Sequence, residues 1–296
     1  MDTPTPHRAR LIDGRVVAKK MRAELHQRVE TLETQGLRPG LAVIVVGDNP
    51  ASTVYVRNKV NACREAGIHS EVHTFPGNTS QSDVLARIYA LNADRHIHGI
   101  IVQLPLPPEF DLRRVLEAVA QEKDVDGFHL YNVGSLVNGD TIFPPCTPYG
   151  VQQLLLHEGI RIEGQNVVVV GASNIVGKPM AMMLLAHEAT VSICHVKTRD
   201  LAQYTILADI LVVAAGKPNL IVAPMVKTGA VVIDVGINRL PDGRLVGDVD
   251  FESVSRKASY ITPVPGGVGP MTVTMLLHNT VQAAERQAAR AALAAS

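Results

Sequence analysis

A tyrosine and a lysine four residues apart are the first candidates for chemistry in this sequence. Tyr55 and Lys59 follow a run of turn-forming residues, G-D-N-P-A-S-T, at positions 47–53. On a helix, positions i and i+4 share one face, so a phenol and an ammonium would point into the same space. The same pair can also be a half-buried ring beside a solvated cation. The spacing alone therefore leaves both a catalytic pair and a surface accident open.

Three further polar residues lie at the ends of apolar or turn-forming segments. Gln103 closes an apolar run in I-I-V-Q-L-P-L-P, where a buried amide needs hydrogen-bond partners. Asp124 and Asp126 precede a glycine in E-K-D-V-D-G-F-H. Because ligands bind at the carboxyl ends of parallel strands, Gln103 can converge with Tyr55 and Lys59 on one cleft. The alternatives are an amide that bonds nearby backbone and carboxylates that only cap a loop.

The second half contains a glycine turn of the kind that binds anions. In V-V-V-V-G-A-S-N-I-V-G-K-P, Gly171 ends a strand-like run and Gly177 opens a helix-like one. Such a turn presents backbone N–H groups and a helix N-terminus to an anion, usually a dinucleotide pyrophosphate. The spacing departs from G-x-G-x-x-G, and a glycine turn used only for packing is the alternative.

The residues after the next strand bear on which dinucleotide would bind. NAD-binding domains of this kind carry a carboxylate about 20 residues on, which holds the ribose 2′-hydroxyl. Here S-I-C-H-V-K-T has no acidic residue and offers His195 and Lys197. A cationic pocket suits a 2′-phosphate, which favours NADP, unless both side chains are simply solvated.

The stretch Y-I-T-P-V-P-G-G-V-G-P-M-T, residues 260–272, is rich in glycine and proline. Such a loop is stiff and exposes its backbone, so it can approach a flat ligand closely. A plain interdomain linker is the alternative.

The elements that must position these residues alternate between strand and helix patterns. Apolar runs predict strands at 41–47, 70–75, 98–107, 166–171, 190–195, 210–215 and 230–236, and periodicity predicts helices at 14–35, 52–66, 82–94, 112–119, 149–157, 178–187 and 272–293. Ser52 or Thr53 can cap the second helix. Residues 131–147 lack periodicity and predict an irregular segment, with a domain boundary near its end.

This rhythm predicts an α/β fold with parallel sheets and helices on both faces. We expect two domains around a cleft. The first, residues 1–146, is a three-layer α/β substrate domain on which a C-terminal helix, 272–296, packs. The second, residues 147–271, is a Rossmann-like dinucleotide-binding domain.

Composition excludes several classes of protein. The 296-residue chain balances 28 basic against 28 acidic residues, which disfavours nucleic acid or an anionic membrane as a partner. The N-terminus lacks an apolar signal segment, and no apolar run approaches the length of a membrane span. Three widely spaced cysteines, without metal-binding spacing, predict reduced buried thiols and no metal site. We therefore expect a cytoplasmic protein.

Seven motifs in order carry a resemblance to a known family. They are Y-V-R-N-K, V-Q-L-P-L-P, K-D-V-D-G-F-H, P-C-T-P, G-A-S-N-I-V-G-K-P-M, D-V-G-I-N-R and I-T-P-V-P-G-G-V-G-P-M-T. Together they closely resemble the bifunctional methylenetetrahydrofolate dehydrogenase/methenyltetrahydrofolate cyclohydrolase family of bacteria. The resemblance extends from Leu11 to about Thr280.

The resemblance implies two reactions at one site. The family oxidises 5,10-methylenetetrahydrofolate with NADP⁺ to the 5,10-methenyl cation, and then hydrolyses that cation to 10-formyltetrahydrofolate. It implies a homodimer without a metal, and a place in the one-carbon metabolism that serves purine, histidine and methionine biosynthesis.

The resemblance also implies roles for individual residues. Lys59 is the central cyclohydrolase residue, Gln103 assists it, Tyr55 packs against the folate ring and Asp126 holds the pterin. Further folate contacts are implied at Val56, Arg57, Asn58, Val102, Leu104, Pro265, Gly266, Gly267, Val268 and Gly269. Dinucleotide contacts are implied at Gly171, Ala172, Ser173, Ile175, Val176, His195, Val196, Lys197 and Ile237.

Elementary chemistry agrees with these roles. One carboxylate can accept both the ring N–H and the exocyclic amine of a pterin. Hydride transfer needs only that the donor carbon be held close to the nicotinamide. Hydrolysis of a cation requires water to lose protons, and a lysine beside a substrate cation gives up its own proton more readily, so it can act as the base.

Two departures from the family bear on the cofactor. Many relatives carry an arginine at the position of Ala172 and a serine at that of Val196, and those side chains bind the 2′-phosphate. His195 or Lys197 would have to compensate here, and use of NAD, or of both dinucleotides, is the alternative.

Three other interpretations compete. Short-chain dehydrogenases also combine a Y-x-x-x-K pair with a glycine loop, but there the loop comes first. A monofunctional dehydrogenase would lack the hydrolytic lysine, and Lys59 is present. A non-enzymatic folate- or nucleotide-binding protein would tolerate loss of Lys59 and Gln103, and both are retained.

Overall fold

The computed structural model describes residues 8–295. Its strands are β1 (Arg10–Leu11), β2 (Gly40–Val46), β3 (His69–Phe75), β4 (Gly99–Val102), β5 (Asn166–Val170), β6 (Thr190–Cys194), β7 (Ile210–Val213), β8 (Val231–Asp234), β9 (Asn238–Arg239), β10 (Leu245–Val246) and β11 (Tyr260–Ile261). Its helices are α1 (Gly14–Thr34), α2 (Pro50–Glu65), α3 (Gln81–Ala93), α4 (Leu112–Ala118), α5 (Leu130–Asn138), α6 (Cys146–His157), α7 (Gly177–Ala186), α8 (Ala202–Thr205), α9 (Phe251–Val254) and α10 (Val268–Ala295), with a 3₁₀ turn at Ala223–Met225.

The described chain divides into two compact units. The first unit comprises residues 19–146 and 273–295, and the second comprises residues 8–18 and 147–272. The sequence prediction assigned residues 8–18 to the other domain. They join the second unit because β1 pairs in parallel with β11. Only two residues of each strand pair, which is too short for a sequence pattern to reveal.

The first unit is built on a three-stranded parallel sheet in the order β3-β2-β4. All seven residues of β2 are buried, as expected for a central parallel strand covered on both faces. Ala42, Ile44 and Val46 pack on one face against a cluster that includes residues of α3 and α4.

The second unit contains a six-stranded parallel sheet in the order β1-β11-β8-β7-β5-β6. The four residues of β7 and the four of β8 are all buried. The pair β9–β10 forms a separate antiparallel ribbon. These two parallel α/β units confirm the predicted fold class.

The prediction of an irregular segment at 131–147 is wrong in its first half, where α5 forms. His129 caps this helix, since its Nδ1 accepts from Tyr131 N at 3.0 Å, and Gly139 ends it in a left-handed conformation with φ of 83°. Leu136 and Asn132 are buried, and the Asn132 amide donates to Asp124 Oδ2 at 2.8 Å. Packing and caps therefore hold a helix whose glycine and asparagine residues have low helix propensity.

Three predicted boundaries also shift. The strand predicted at 98–107 ends at Val102, because the prolines that follow have no N–H to donate. α2 begins at Pro50, and Asn49 Oδ1, rather than Ser52 or Thr53, caps it by accepting from Ser52 N. α10 begins at Val268, four residues early, since Pro270 in the first turn has no intrahelical bond to lose.

No helix within residues 8–295 combines the length and apolar composition needed to cross a membrane. Cys63, Cys146 and Cys194 are all buried and form no disulfide, as predicted.

Candidate active site

Tyr55 and Lys59 lie one turn apart on α2, as their spacing predicts. The helix places both side chains on one face. Tyr55 is 38% exposed, and Lys59 is half-buried. Among the neighbouring predicted contacts, the Val56 side chain is buried in the core, whereas Arg57 and Asn58 are exposed.

Gln103 follows directly on β4 and meets Lys59. Its backbone N–H still donates to Ile44 O at 2.8 Å, so the residue keeps its register beside β2. The side-chain Nε2 donates to Leu104 O at 2.8 Å, which fixes the orientation of the amide. The remaining Oε1 accepts from Lys59 Nζ at 3.1 Å. The structure thus brings together two residues that lie 44 positions apart, while the neighbouring Val102 side chain is buried and Leu104 is half-buried.

Asp126 and Lys59 are both within electrostatic reach of the buried thiol of Cys146. The Cys146 thiol donates to Val125 O at 3.3 Å. Burial raises the pKa of this thiol well above its usual value, the charge of Asp126 raises it further, and the charge of Lys59 acts in the opposite direction. Both charged groups therefore lie within electrostatic reach of one sulfur atom. The sequence analysis did not predict Cys146 as a neighbour of the site, although its motif P-C-T-P is one of the seven that carry the family resemblance.

Asp124, two residues earlier, has a structural role. Its carboxylate accepts from His129 N and from the Asn132 amide, each at 2.8 Å, and so anchors the start of α5. Burial raises its pKa against those hydrogen bonds. Lys123 is also structural, because its Nζ donates to the carbonyls of Leu91 and Asp94 at the end of α3. In K-D-V-D-G, then, Lys123 and Asp124 are both held by structural hydrogen bonds.

The glycine turn between β5 and α7 has the form that a pyrophosphate requires. A methyl group on Gly171 would overlap the carbonyl of Ala214, and one on Gly177 would overlap the carbonyl of Gly171. Ser173 Oγ accepts from Val176 N at 3.1 Å and so fixes the turn. Ser173 and Ile175 are exposed beside it, and Ala172 and Val176 are half-buried. Close backbone approach without side chains fits a dinucleotide phosphate at this helix N-terminus.

The loop after β6 presents His195, Val196 and Lys197 to solvent. His195 N donates to Thr198 Oγ1 at 2.9 Å, and His195 Nδ1 accepts from Lys197 N at 3.1 Å. A neutral His195 ring therefore carries its proton on Nε2, where it can donate to a ligand. Val196 is 95% exposed and makes this loop apolar at its tip.

The glycine- and proline-rich segment packs tightly within the second unit. A methyl group on Gly14 would overlap the carbonyl of Gly267, and Gly266, at φ of 113°, lies against the guanidinium of Arg15. Pro265 is exposed, whereas Gly267 and Val268 are buried. Ile237 is 43% exposed, and its Cδ1 lies 3.8 Å from a methyl position on Gly269.

No group of three or more His, Cys, Asp or Glu side chains in residues 8–295 is arranged to hold a metal ion.

One unit carries a hydrogen-bonded lysine–glutamine pair, and the other carries a nucleotide-type glycine turn on a parallel sheet. These features define a two-domain α/β enzyme that combines proton transfer with a dinucleotide cofactor.

Comparisons with known proteins identify the family. Residues 12–126 match the catalytic domain of tetrahydrofolate dehydrogenase/cyclohydrolase, and residues 145–288 match its NAD(P)-binding domain. The chain belongs to the tetrahydrofolate dehydrogenase/cyclohydrolase family, and it is an enzyme of one-carbon folate metabolism.

Individual relatives agree over almost the whole length. The bifunctional protein FolD of Nitrosospira multiformis is 65% identical over 282 residues, which cover 95% of this chain and 98% of the relative. The crystal structure of FolD from Campylobacter jejuni has a TM-score of 0.92 at 54% identity, covering 94% of this chain and 99% of that one. FolD of Trypanosoma brucei, solved with NADP cofactor and an inhibitor, has a TM-score of 0.92 at 41% identity and covers 95% of this chain and 99% of its own.

Proposed function

We propose that Lys59 is the base of the cyclohydrolase reaction and that Gln103 holds it in place. The 3.1 Å hydrogen bond from Lys59 Nζ to Gln103 Oε1 is the observation that carries this proposal. Hydrolysis of the 5,10-methenyl cation adds water to the cationic carbon, opens the ring and releases one proton overall. In its neutral form Lys59 takes that proton, and its hydrogen bond to Gln103, another predicted folate residue, supports this role. Gln103 cannot rotate freely, since its own N–H group is bound to Leu104 O.

We propose that Asp126 binds the pterin and that Tyr55 packs on its ring. An ionised carboxylate can accept the ring N–H and the exocyclic amine together. The charges of Asp126 and Lys59 both act on the Cys146 thiol, which supports one substrate position for the two residues. The predicted contacts of residues 265–269 with the folate stay predictions.

We propose that the second unit binds NADP⁺ for oxidation of 5,10-methylenetetrahydrofolate. When bound, NADP⁺ would supply the hydride acceptor for the methylene carbon. The protein residues orient it: Gly171, Gly177 and Ser173 at the pyrophosphate, and Ile237 beside the loop that contains Gly269. No acid or base is needed for hydride transfer, and a metal has no part in either step as proposed.

We propose that the dinucleotide is NADP and not NAD. The T. brucei relative was solved with NADP. Ala172 cannot supply the cation that many relatives carry there, so His195 Nε2 and Lys197 Nζ take over the 2′-phosphate. Both side chains are exposed on the loop that follows β6. Use of NAD, or of both dinucleotides, remains the second candidate because Val196 offers no hydrogen bond.

We propose further that the enzyme is a cytoplasmic homodimer whose 10-formyl product serves purine, histidine and methionine biosynthesis. High identity to bacterial relatives along the whole chain supports this placement.

Initial rates of purified protein test the cofactor proposal. Oxidation of methylenetetrahydrofolate is followed with NADP⁺ and with NAD⁺, in the wild type and in His195→Ala/Lys197→Ala. We expect the wild type to prefer NADP⁺ and the double variant to lose about tenfold or more in kcat/KM for NADP⁺ only, since hydrogen bonds to charged groups contribute about 1.5–3 kcal/mol. A wild type that prefers NAD⁺ would overturn the proposal.

A further inference from the structure

Two short segments that flank the β9–β10 ribbon are joined by hydrogen bonds in the second unit, and we call this pair of segments the clasp. They are D-V-G, residues 234–236, and G-D-V, residues 247–249, and the β9–β10 ribbon lies between them. Asp234 Oδ1 accepts from Gly236 N at 2.9 Å and from Asp248 N at 3.0 Å. Asp234 Oδ2 accepts from Val249 N at 2.9 Å. Asp234 therefore closes the base of the ribbon.

Asp248 ties this base to a neighbouring loop. Its Oδ2 accepts from Ala215 N at 2.6 Å and from Gly216 N at 2.9 Å. Its Oδ1 accepts from Lys217 N at 2.9 Å and from the Asn238 amide at 2.8 Å. The residue is fully buried. Four donors satisfy one carboxylate, and three of them are successive backbone N–H groups, so the group works as a backbone anchor.

The two glycines of the clasp pack tightly against its two carboxylates. A methyl group on Gly236 would overlap the carboxylate of Asp248, and one on Gly247 would overlap that of Asp234. Burial raises the pKa of Asp234 to about 7, so the two neighbouring carboxyl groups need not both be charged below that pH.

The segments that the clasp fixes follow β7 and β8, at the carboxyl ends of the parallel strands. This edge of a parallel α/β sheet binds the dinucleotide. The carbonyl of Ala214, just before the anchored loop, touches Gly171 of the phosphate turn. On the other side, Ile237 lies between Gly236 and Asn238, which both contact a clasp carboxylate.

We infer that Asp248, with Asp234, is a positioning residue that sets loop 215–217 and Ile237 for dinucleotide binding. The inference rests on the proposed use of NADP⁺ by this unit. Neither carboxylate touches the cofactor in this account. Each acts through the backbone that it holds.

The test is calorimetric titration of NADP⁺ into Asp248→Asn, together with the ratio of dehydrogenase to cyclohydrolase activity. An asparagine places its NH₂ against backbone N–H groups, so we expect the Kd and KM for NADP⁺ to rise at least tenfold and the ratio to fall accordingly. Val226→Ala is the matched control. Val226 is fully buried in the same unit. The next residue, Lys227, forms an ion pair with Asp209, which directly precedes β7. The Val226→Ala variant should lower the melting temperature but leave the Kd unchanged.

A second variant, Asn238→Ala, covers the case in which Asp248→Asn does not fold. It removes one donor and leaves the carboxylate and its three N–H partners, and we expect a threefold or larger rise in Kd. A folded variant of either kind that binds NADP⁺ like the wild type overturns the inference. A rise in Kd of equal size in Val226→Ala also overturns it. Failure of the wild type to bind NADP⁺ would instead overturn the proposed function.

Discussion

At the scale of single residues, the chemistry depends on how one amide is held. Gln103 uses its N–H group on Leu104 O, and only its oxygen faces Lys59. The sequence indicated that these side chains can converge, because both follow strands of one parallel sheet. It could not predict which atom of the amide faces the lysine, since that depends on the backbone after β4. Residue spacing alone did not separate Asp126 from Asp124, whereas the family resemblance did, because it implies the pterin contact for Asp126 only.

Replacing Gln103 by Ala should lower kcat for methenyltetrahydrofolate hydrolysis by about 2–10-fold, because the lost hydrogen bond to the neutral amine contributes about 0.5–1.5 kcal/mol. The measurement is the loss of methenyltetrahydrofolate absorbance without dinucleotide. Gln121→Ala, at an exposed position, is the control. An unchanged rate in Gln103→Ala would mean that the amide does not hold the base.

A second residue-scale prediction concerns pH. His98 is buried, and its Nδ1 accepts from Gly40 N at 3.0 Å. Burial, helped by the charges of Lys123 and His96 and opposed by Asp94, lowers its pKa to about 4. Because the folded pKa lies below the unfolded value, the unfolded chain binds the extra proton between pH 6.5 and 4. Stability should therefore fall as pH drops through that window, by about 1.4 kcal/mol per pH unit at most.

Urea unfolding of the wild type and of His98→Gln at pH 7, 5.5 and 4.5 isolates this contribution from other titrating groups. The stability advantage of the wild type should shrink as pH falls. An advantage that stays constant with pH would show that His98 keeps an ordinary pKa.

At the scale of elements, long apolar runs made the central strands predictable, and short or polar elements were not. β2, β5, β7 and β8 are buried on both faces and appear as valine- and isoleucine-rich runs. α5 contains glycine and two asparagines, which are weak helix formers, and β1 is only two residues long, so neither was predicted. The clasp of Asp234 and Asp248 was equally hidden, because its donors are backbone N–H groups of loops.

We predict that the glycine turn between β5 and α7 must keep glycine at position 177 to bind the cofactor. In Gly177→Ala, the new methyl group would overlap the backbone carbonyl of Gly171. That carbonyl is part of the turn and cannot rotate away as a flexible side chain could. We expect the KM for NADP⁺ to rise more than tenfold and the melting temperature to fall. Gly134→Ala, in α5, is the control, since its methyl group meets nothing within 4 Å and a helical alanine should stabilise by about 0.5–1 kcal/mol. Equal effects of the two variants on KM would show that the turn does not approach the cofactor.

At the scale of the whole molecule, the alternation of strand and helix patterns specified two parallel α/β units. The chain passes between the two units after residues 18, 146 and 272. Assembly is a separate question, because a dimer surface has no sequence signature. We predict a homodimer, which light scattering should show as twice the chain mass of 31.8 kDa. A single-chain mass at micromolar concentration would contradict the prediction.

The central claim is that Lys59 performs the hydrolysis. Its most direct test is the rate of methenyltetrahydrofolate hydrolysis by Lys59→Met, measured without dinucleotide. The wild type and Lys20→Met, which changes an exposed lysine of α1, are the controls. Methionine keeps the length and packing of the side chain and removes the base. We expect the Lys59 variant to lose at least about 100-fold in rate, the low end of what a positioned general base contributes, and the Lys20 variant to match the wild type. Hydrolysis at the normal rate in Lys59→Met would contradict the account.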